Sequence, residues 1–432
     1  MFYHFKDYFI LSLIFWLSAF FLFTPQILVI DGIQYYAPVR SLVIDKDIQY
    51  DNEFKEICSK DFAPEVKETS CTYYISYQTE TGHTRNNAMF GATFFWLPFF
   101  VFAHTLSFLF NLPINGYTNL YFNITLFGTV VYSYLALLLI YRFVKNYFDI
   151  STSLFAVIIY FLSSSFLFYA FKQPASNHGI SLFTTVLFLN FYYLIKSKIK
   201  FFWILLGFIS GLMSIVRWNN LVFVILPVKR LVLDFFKTKS KKSFIHLFCF
   251  SFGFLIAVLP QFIVLKIIYG VWVKSLVSTT LQIWPKYFFH IFILPPHGII
   301  LWTPITIFSL IGLIHLFRQH KNLRELLLVF WITVFFLSTF EYYHGGSSFG
   351  IRYLFGMTPV FILGLASFLE RFKLSRRYYT LFFLPFIVWN LLLISQIDKN
   401  YLLLAHFQSF KEMFFNQFRS WENLWNMLLT RL

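Results

Sequence analysis

Charge is what this chain has least of. Of 432 residues, 19 are Asp or Glu and 35 are Lys or Arg, so 12% are charged while 58% are apolar. A soluble domain carries about 25% charged residues, and one core could not hide this much apolar side chain. Cysteine is scarcer still: three residues cannot build a disulfide scaffold. Cys58 and Cys71 share one polar segment and can pair if it faces an oxidising compartment, whereas Cys249, inside an apolar run, reads as a packing residue. The chain lacks H-E-x-x-H and paired-cysteine metal motifs, G-x-x-x-x-G-K-[ST], G-x-S-x-G and a dinucleotide fingerprint, which leaves zinc and soluble-nucleotide chemistry without support. The first apolar run, 8–30, has no small-residue cleavage site and reads as an uncleaved signal anchor.

What the chain does have is a series of apolar runs, each long enough to cross about 30 Å of hydrocarbon as a helix. After 8–30 they fall near 88–110, 117–141, 151–170, 179–195, 201–216, 219–236, 244–268, 298–317, 325–340, 353–370 and 379–396. The fold expected is an all-α polytopic membrane bundle forming one domain. The net charge of +16 does not point to nucleic acid, because the basic residues cluster in short loops between apolar runs, where they set topology.

Those clusters are Arg142 and Lys145, Lys196 to Lys200, Lys229 to Lys242, Arg318 to Arg324, and Arg371 to Arg377. Placing them inside the cell, with the N-terminus also inside, works only if one early run does not cross. The run 88–110, with Pro98 and His104, is assigned to the outer interface or to a re-entrant path. Eleven spanning helices then remain. The expected first exported loop is 31–116 with interfacial helices, and 397–432 is an exported interfacial segment marked by Trp421 and Trp425. The alternative is a miscount within 201–236.

With this topology a set of polar residues gathers at the exported face. Asp31, at the end of the first run, can serve as a general base or be a solvated helix-end carboxylate. Tyr35 and Tyr36 beside it are interfacial anchors or sugar-stacking faces. Arg352, after Gly345-Gly346-Ser347-Ser348-Phe349-Gly350, can grip a phosphate in bidentate fashion or snorkel to head groups. Arg217, His178 and Lys172 can join it on an anion. His83, Arg85, Trp302, Glu341 and His344 complete the candidates for sugar or acceptor binding.

These residues sit in segments that resemble bacterial membrane glycosyltransferases of the GT-C superfamily, whose members include protein O-mannosyltransferases and lipid A aminoarabinose transferases. The segments are Asp31 to Arg40, Gly91-x6-Pro98-Phe99-Phe100 with His104, Gly211 to Arg217, Gly298 to Pro304, and Gly345 to Tyr353. The resemblance implies a GT-C-like bundle, a polyprenyl-phosphate sugar donor, membrane-lying helices in the first exported loop, and the catalytic base at Asp31. Many members carry paired acids at that place; here Gly32 follows Asp31, so no metal between adjacent carboxylates is expected and no cofactor is required.

The reaction so implied is inverting transfer. Asp31 takes the proton of an acceptor hydroxyl on a glycan, lipid or protein, and polyprenyl phosphate leaves from the anomeric carbon while Arg352, Arg217, His178 and Lys172 bear its charge. Competing readings are a lipid-linked sugar transporter or flippase, and a polysaccharide polymerase or ligase. The expected location is the inner (plasma) membrane, with the site on the exported face.

Overall fold

The structure is a computed structural model that describes residues 2–27, 30–59, 68–194, 201–274, 282–294, 296–372, 376–398 and 410–429. The described residues are built from helices. In chain order these begin with α1 (Phe2–Leu22), α2 (Ile30–Arg40), α3 (Asp51–Cys58), α4 (Glu68–Ser76), α5 (Gly91–Leu109) and α6 (Asn119–Val144). Next come α7 (Ile150–Leu162), α8 (His178–Leu194), α9 (Phe202–Val216), α10 (Ile225–Thr238), α11 (Lys241–Tyr269) and α12 (Phe288–Phe292). The last are α13 (Ile299–Trp302), α14 (Thr306–Gln319), α15 (Arg324–Ser338), α16 (Thr358–Phe372), α17 (Arg376–Asp398) and α18 (Phe410–Leu429).

Four helical stretches are long and apolar enough to cross a membrane: α5, α6, α11 and Arg352–Phe372. Shorter apolar helices are α7, α8, α9, α14 and Leu381–Ile397 within α17. The protein is a membrane protein by this measure. The described residues do not establish eleven full-length spans, and where an expected run is not one long helix the cause is local. The run 8–30 is not one helix: α1 ends at Leu22, and Asp31 opens a separate helix, α2. The run 151–170 stops at Leu162, where Ser163-Ser164-Ser165 follow and Asn390 Nδ2 donates to the carbonyls of Leu162 and Ser164, both at 2.9 Å. The run 298–317 is broken at Thr303-Pro304 into α13 and α14, since proline has no N–H to continue the ladder. Within 219–236, a 3₁₀ turn leads into α10, which is amphipathic: Leu226, Pro227 and Leu231 are buried, Leu233 and Phe236 are exposed, and Lys229, Arg230 and Lys237 interrupt the apolar surface. That helix is not among the apolar ones.

The run 88–110 holds the opposite surprise. It is unbroken by Pro98 or His104 and forms the 19-residue helix α5, most of which faces outward with Val101, Phe102, Phe108 and Leu109 exposed.

The chain divides into two compact units. One, the loop-bearing unit, comprises Thr24–Ala136 and Ala170–Ser278; the other, the terminal unit, comprises Met1–Phe23, Leu137–Tyr169 and Thr279–Leu432. In the loop-bearing unit α9 and α11 cross at backbone contact, the mode that membrane helices use when small residues line the interface. A Cβ on Gly207 would stand 2.0 Å from the Phe250 carbonyl oxygen, and one on Gly253 would stand 2.1 Å from that of Ile204. Gly91 brings the start of α5 equally close to the end of α9, where a Cβ would lie 2.5 Å from the Ile215 carbonyl. Within the first loop a disulfide, Cys58–Cys71, and the stack of Phe54 on Tyr74, centroids 5.3 Å apart, join α3 to α4, and the Tyr269 hydroxyl of α11 donates to the Asn86 carbonyl at 2.8 Å, which ties the loop to this frame.

In the terminal unit α14 and α16 repeat the device: a Cβ on Gly312 would lie 1.8 Å from the Gly364 carbonyl oxygen. α18 lays Met413, Gln417, Ser420 and Leu424 against the protein, at helical spacing, and exposes Phe415, Phe418, Trp421 and Trp425. It docks on α17, where Gln396 Nε2 donates to the Met413 carbonyl at 3.3 Å. Of the expected interfacial segment 397–432, residues 399–409 and 430–432 lie outside the described residues, as does the basic cluster 196–200.

Candidate functional site

Asp31 occupies the first turn of α2, half-buried, where the unpaired N–H groups of a helix favour a negative charge. Its neighbour Gly32 has no room for a side chain: a Cβ there would stand 2.8 Å from Ile27 and 3.0 Å from Ala175. The missing second carboxylate thus has a packing reason. The same contact presses α2 onto the segment that carries Lys172, Asn177 and His178.

One turn on, Gln34 ties α2 to the loop. Its side chain donates to the Tyr74 hydroxyl at 3.1 Å and accepts from Asn87 N at 2.8 Å, while Asn86 Nδ2 donates to its carbonyl at 2.9 Å. Tyr74 is raised above the usual tyrosine range, first by burial and then by the charge of Asp31. Gln34, Tyr74, Asn86 and Asn87 were not singled out as a network from the sequence; the Asn-Asn pair in a polar loop is the only local signal for it.

Of the three expected cationic residues, Arg217 and His178 are in direct contact, and Lys172 bonds elsewhere. Lys172, His178 and Arg217 are all buried in the loop-bearing unit, as are Asn177, Asn219 and Asn220. Arg217 Nη1 donates to Asn177 Oδ1 at 3.0 Å and lies 3.1 Å from His178 Nδ1, and Arg217 Nε donates to Asn219 Oδ1 at 3.2 Å. A ring nitrogen that accepts from arginine must offer a lone pair, so His178 acts here as an orienter of Arg217. His178 is also the first residue of α8, so the positive end of that helix points into the same group. Lys172 Nζ donates to Thr24 Oγ1 at 3.4 Å.

Two expected sugar-stacking faces are not available. Tyr36 is fully buried, stacked on Phe122 at 4.4 Å, with its hydroxyl donating to the Gly116 carbonyl at 2.7 Å; it is a core residue. Trp302 is 1% exposed, its indole donating to the Pro296 carbonyl at 2.7 Å and its ring against Phe349. Tyr35, half-buried, meets the edge of Trp96 at 6.4 Å. His83 sits in a tight turn, 3.1 Å from Thr81 Oγ1, and Arg85 follows it.

Arg40, the last residue of the Asp31-to-Arg40 segment and of α2, is buried. It pairs with Asp45, with Glu53 at 2.7 Å, donates to the Asn115 carbonyl at 2.9 Å, and lies 4.2 Å from the Tyr117 ring. Glu53 is wholly enclosed, and burial pushes its carboxyl up to about 8 against the pull of Arg40.

Arg352, Trp302, Glu341 and His344 belong to the terminal unit, so the candidates named from the sequence divide into two groups. There, Gly345 takes a positive φ of 74° and a Cβ on it would meet Arg352 Nε at 2.8 Å, which reserves that glycine for close approach to the guanidinium. His344 Nδ1 accepts from Gly346 N at 3.0 Å and its ring lies parallel to His297, 6.0 Å away. Burial first, then the charges of His344 and Arg352, lower His297 to about 3, and among the described residues its Nδ1 has no hydrogen-bond partner. Glu341 is exposed.

No family model and no curated protein matches the chain.

Proposed function

We propose that the protein is an inverting glycosyltransferase that moves a sugar from a polyprenyl-phosphate donor to an acceptor hydroxyl at the outer face of the membrane. The observation that carries this reading is the seating of Asp31. A half-buried carboxylate opens α2, and the Gly32–Ala175 contact holds that helix against the segment leading into a buried group of Lys172, His178 and Arg217. A base and an anion-stabilising group on one frame are what displacement at an anomeric carbon beside a phosphate requires.

In this reading Asp31 accepts the proton of the attacking hydroxyl as the new C–O bond forms, and the bond from the anomeric carbon to the phosphate oxygen breaks. Arg217, oriented by Asn177 and His178, and Lys172 bear the charge of the departing phosphate, with the α8 N-terminus adding its dipole. Arg352 with His344 is the corresponding basic group of the terminal unit. The topology that goes with it has eleven crossings of the inner membrane, the N-terminus inside and the first loop outside; the Cys58–Cys71 disulfide supports an exported loop, since such bonds persist in oxidising compartments.

The test is purified protein with a panel of radiolabelled polyprenyl-phosphate sugars. Acceptor-dependent release of polyprenyl phosphate is expected, and Asp31→Asn should lower it by at least about 100-fold, the scale of a lost general base. An Asp31→Asn protein as active as the parent would remove Asp31 from the mechanism. Movement of intact donor across vesicles without cleavage would make the protein a flippase.

A further inference from the structure

We propose that Tyr73, Tyr77 and Arg85 form a docking platform for an anionic carbohydrate, which on the reading above is the acceptor. Tyr73 lies in α4 and Tyr77 directly follows its last residue, its N–H still donating to the Tyr73 carbonyl at 3.1 Å; they are 48% and 45% exposed, with ring centroids 5.8 Å apart and planes inclined by 25°. Two phenol faces so aligned offer a broad surface to the C–H faces of sugar rings, and a tyrosine held rigid loses little entropy on binding.

The rigidity comes from Arg85. Its Nη1 donates to the Tyr73 hydroxyl at 2.8 Å, its guanidinium lies 5.3 Å from the Tyr77 ring, and its Nε donates to Asn87 Oδ1 at 3.0 Å. Beneath, the Cys58–Cys71 disulfide and the Phe54–Tyr74 stack pin α4 to α3, and Thr81 in the following turn bonds to the Ile268 carbonyl of α11. Among the described residues no carboxylate lies within ion-pair distance of Arg85. A half-buried guanidinium with neutral partners beside two exposed rings selects a ligand that brings the acid itself: a uronic acid or a phosphorylated sugar.

The platform also leads to the proposed base. Arg85 bonds to Asn87, Asn87 bonds to both Gln34 and Tyr74, and the Tyr74 hydroxyl feels the charges of Asp31 and Arg85. The platform is thus tied by hydrogen bonds to Gln34, which lies one turn beyond Asp31 on α2.

The probe is a tetrasaccharide of alternating uronic acid and neutral hexose, with its carboxyl-reduced counterpart as control. Binding to the full-length protein in nanodiscs is read by saturation-transfer NMR and titration, with no donor lipid present. The acidic sugar should bind about tenfold more tightly than the reduced one, a difference of about 1.4 kcal/mol. The double change Tyr73→Ala/Tyr77→Ala should lose at least that factor for both sugars, and Tyr77→Phe should retain it. Arg85→Gln should erase the preference for the acid; retention of the disulfide in each variant verifies the folded loop. Absence of saturation transfer to the acidic sugar, equal binding of the two sugars, or variants that bind as the parent does would each overturn the platform and leave the tyrosines as anchors at the lipid head groups. Because the measurement needs no sugar transfer, it stands apart from the Asp31→Asn assay: loss of one reading leaves the other measurable.

Discussion

Above about pH 8, where Glu53 has given up its proton, replacing Arg40 by methionine should destabilise the protein by about 3–5 kcal/mol, the cost of leaving a buried charge without its partner. Arg40 is 5% exposed and Glu53 0%, and one guanidinium serves Glu53, Asp45 and the Asn115 carbonyl together. Among the described residues one Glu53 carboxylate oxygen already has no hydrogen-bond partner, so the methionine variant would leave neither oxygen with one there. The same enclosure sets a pH dependence. The folded state holds the Glu53 proton up to about 8, against an ordinary value of 4.5, so between those values folding takes up a proton and stability falls as pH rises. Thermal unfolding of the detergent-solubilised protein at several pH values measures both effects. The midpoint should drop in Arg40→Met, recover in the neutral triple Arg40→Met/Asp45→Asn/Glu53→Gln, and lose much of its decline between pH 5 and pH 8, about the window above, in Glu53→Gln. An Arg40→Met protein that melts with the parent, or a triple variant no better than the single, would refute the reasoning.

Two further outcomes follow from packing and covalent structure. Gly312→Ala places a methyl 1.8 Å from a backbone oxygen that cannot rotate away, so α14 and α16 must separate; a loss of about 1–3 kcal/mol is expected by thermal unfolding, and an unchanged midpoint would contradict the helix contact. Maleimide labelling under denaturing, non-reducing conditions should modify Cys249 alone and all three cysteines after reduction; three labels before reduction would break the Cys58–Cys71 assignment and the exported loop with it.

The relation between sequence and structure differs by residue. Asp31 is legible as an acid after an apolar run, yet a run of hydropathy does not announce that α1 stops at Leu22 and that a separate helix carries the acid. Tyr35 and Tyr36 look alike in sequence, and Tyr36 is lost to the core only because Phe122, 86 positions away, lies under it. Arg217, His178 and Asn177 do converge, since each marks a helix end in the apolar pattern. The burial of Arg40 is not legible in the sequence, because its partner Glu53 and its acceptor Asn115 reach it through the loop fold.

What the sequence determined alone is the environment: too much apolar side chain and too little charge for anything but a membrane, with the basic residues clustered in loops between apolar runs, because a charge is costly in hydrocarbon. What only the tertiary structure decided is which of those polar residues remain available for chemistry. Arg40, Tyr36 and Trp302 are consumed by contacts that no local pattern encodes, while Arg85, a candidate already in the sequence, is joined by a hydrogen bond to Tyr73, a helix tyrosine that no sequence pattern marks. Burial at a helix end depends on what another part of the chain lays over it, and that is a property of the fold.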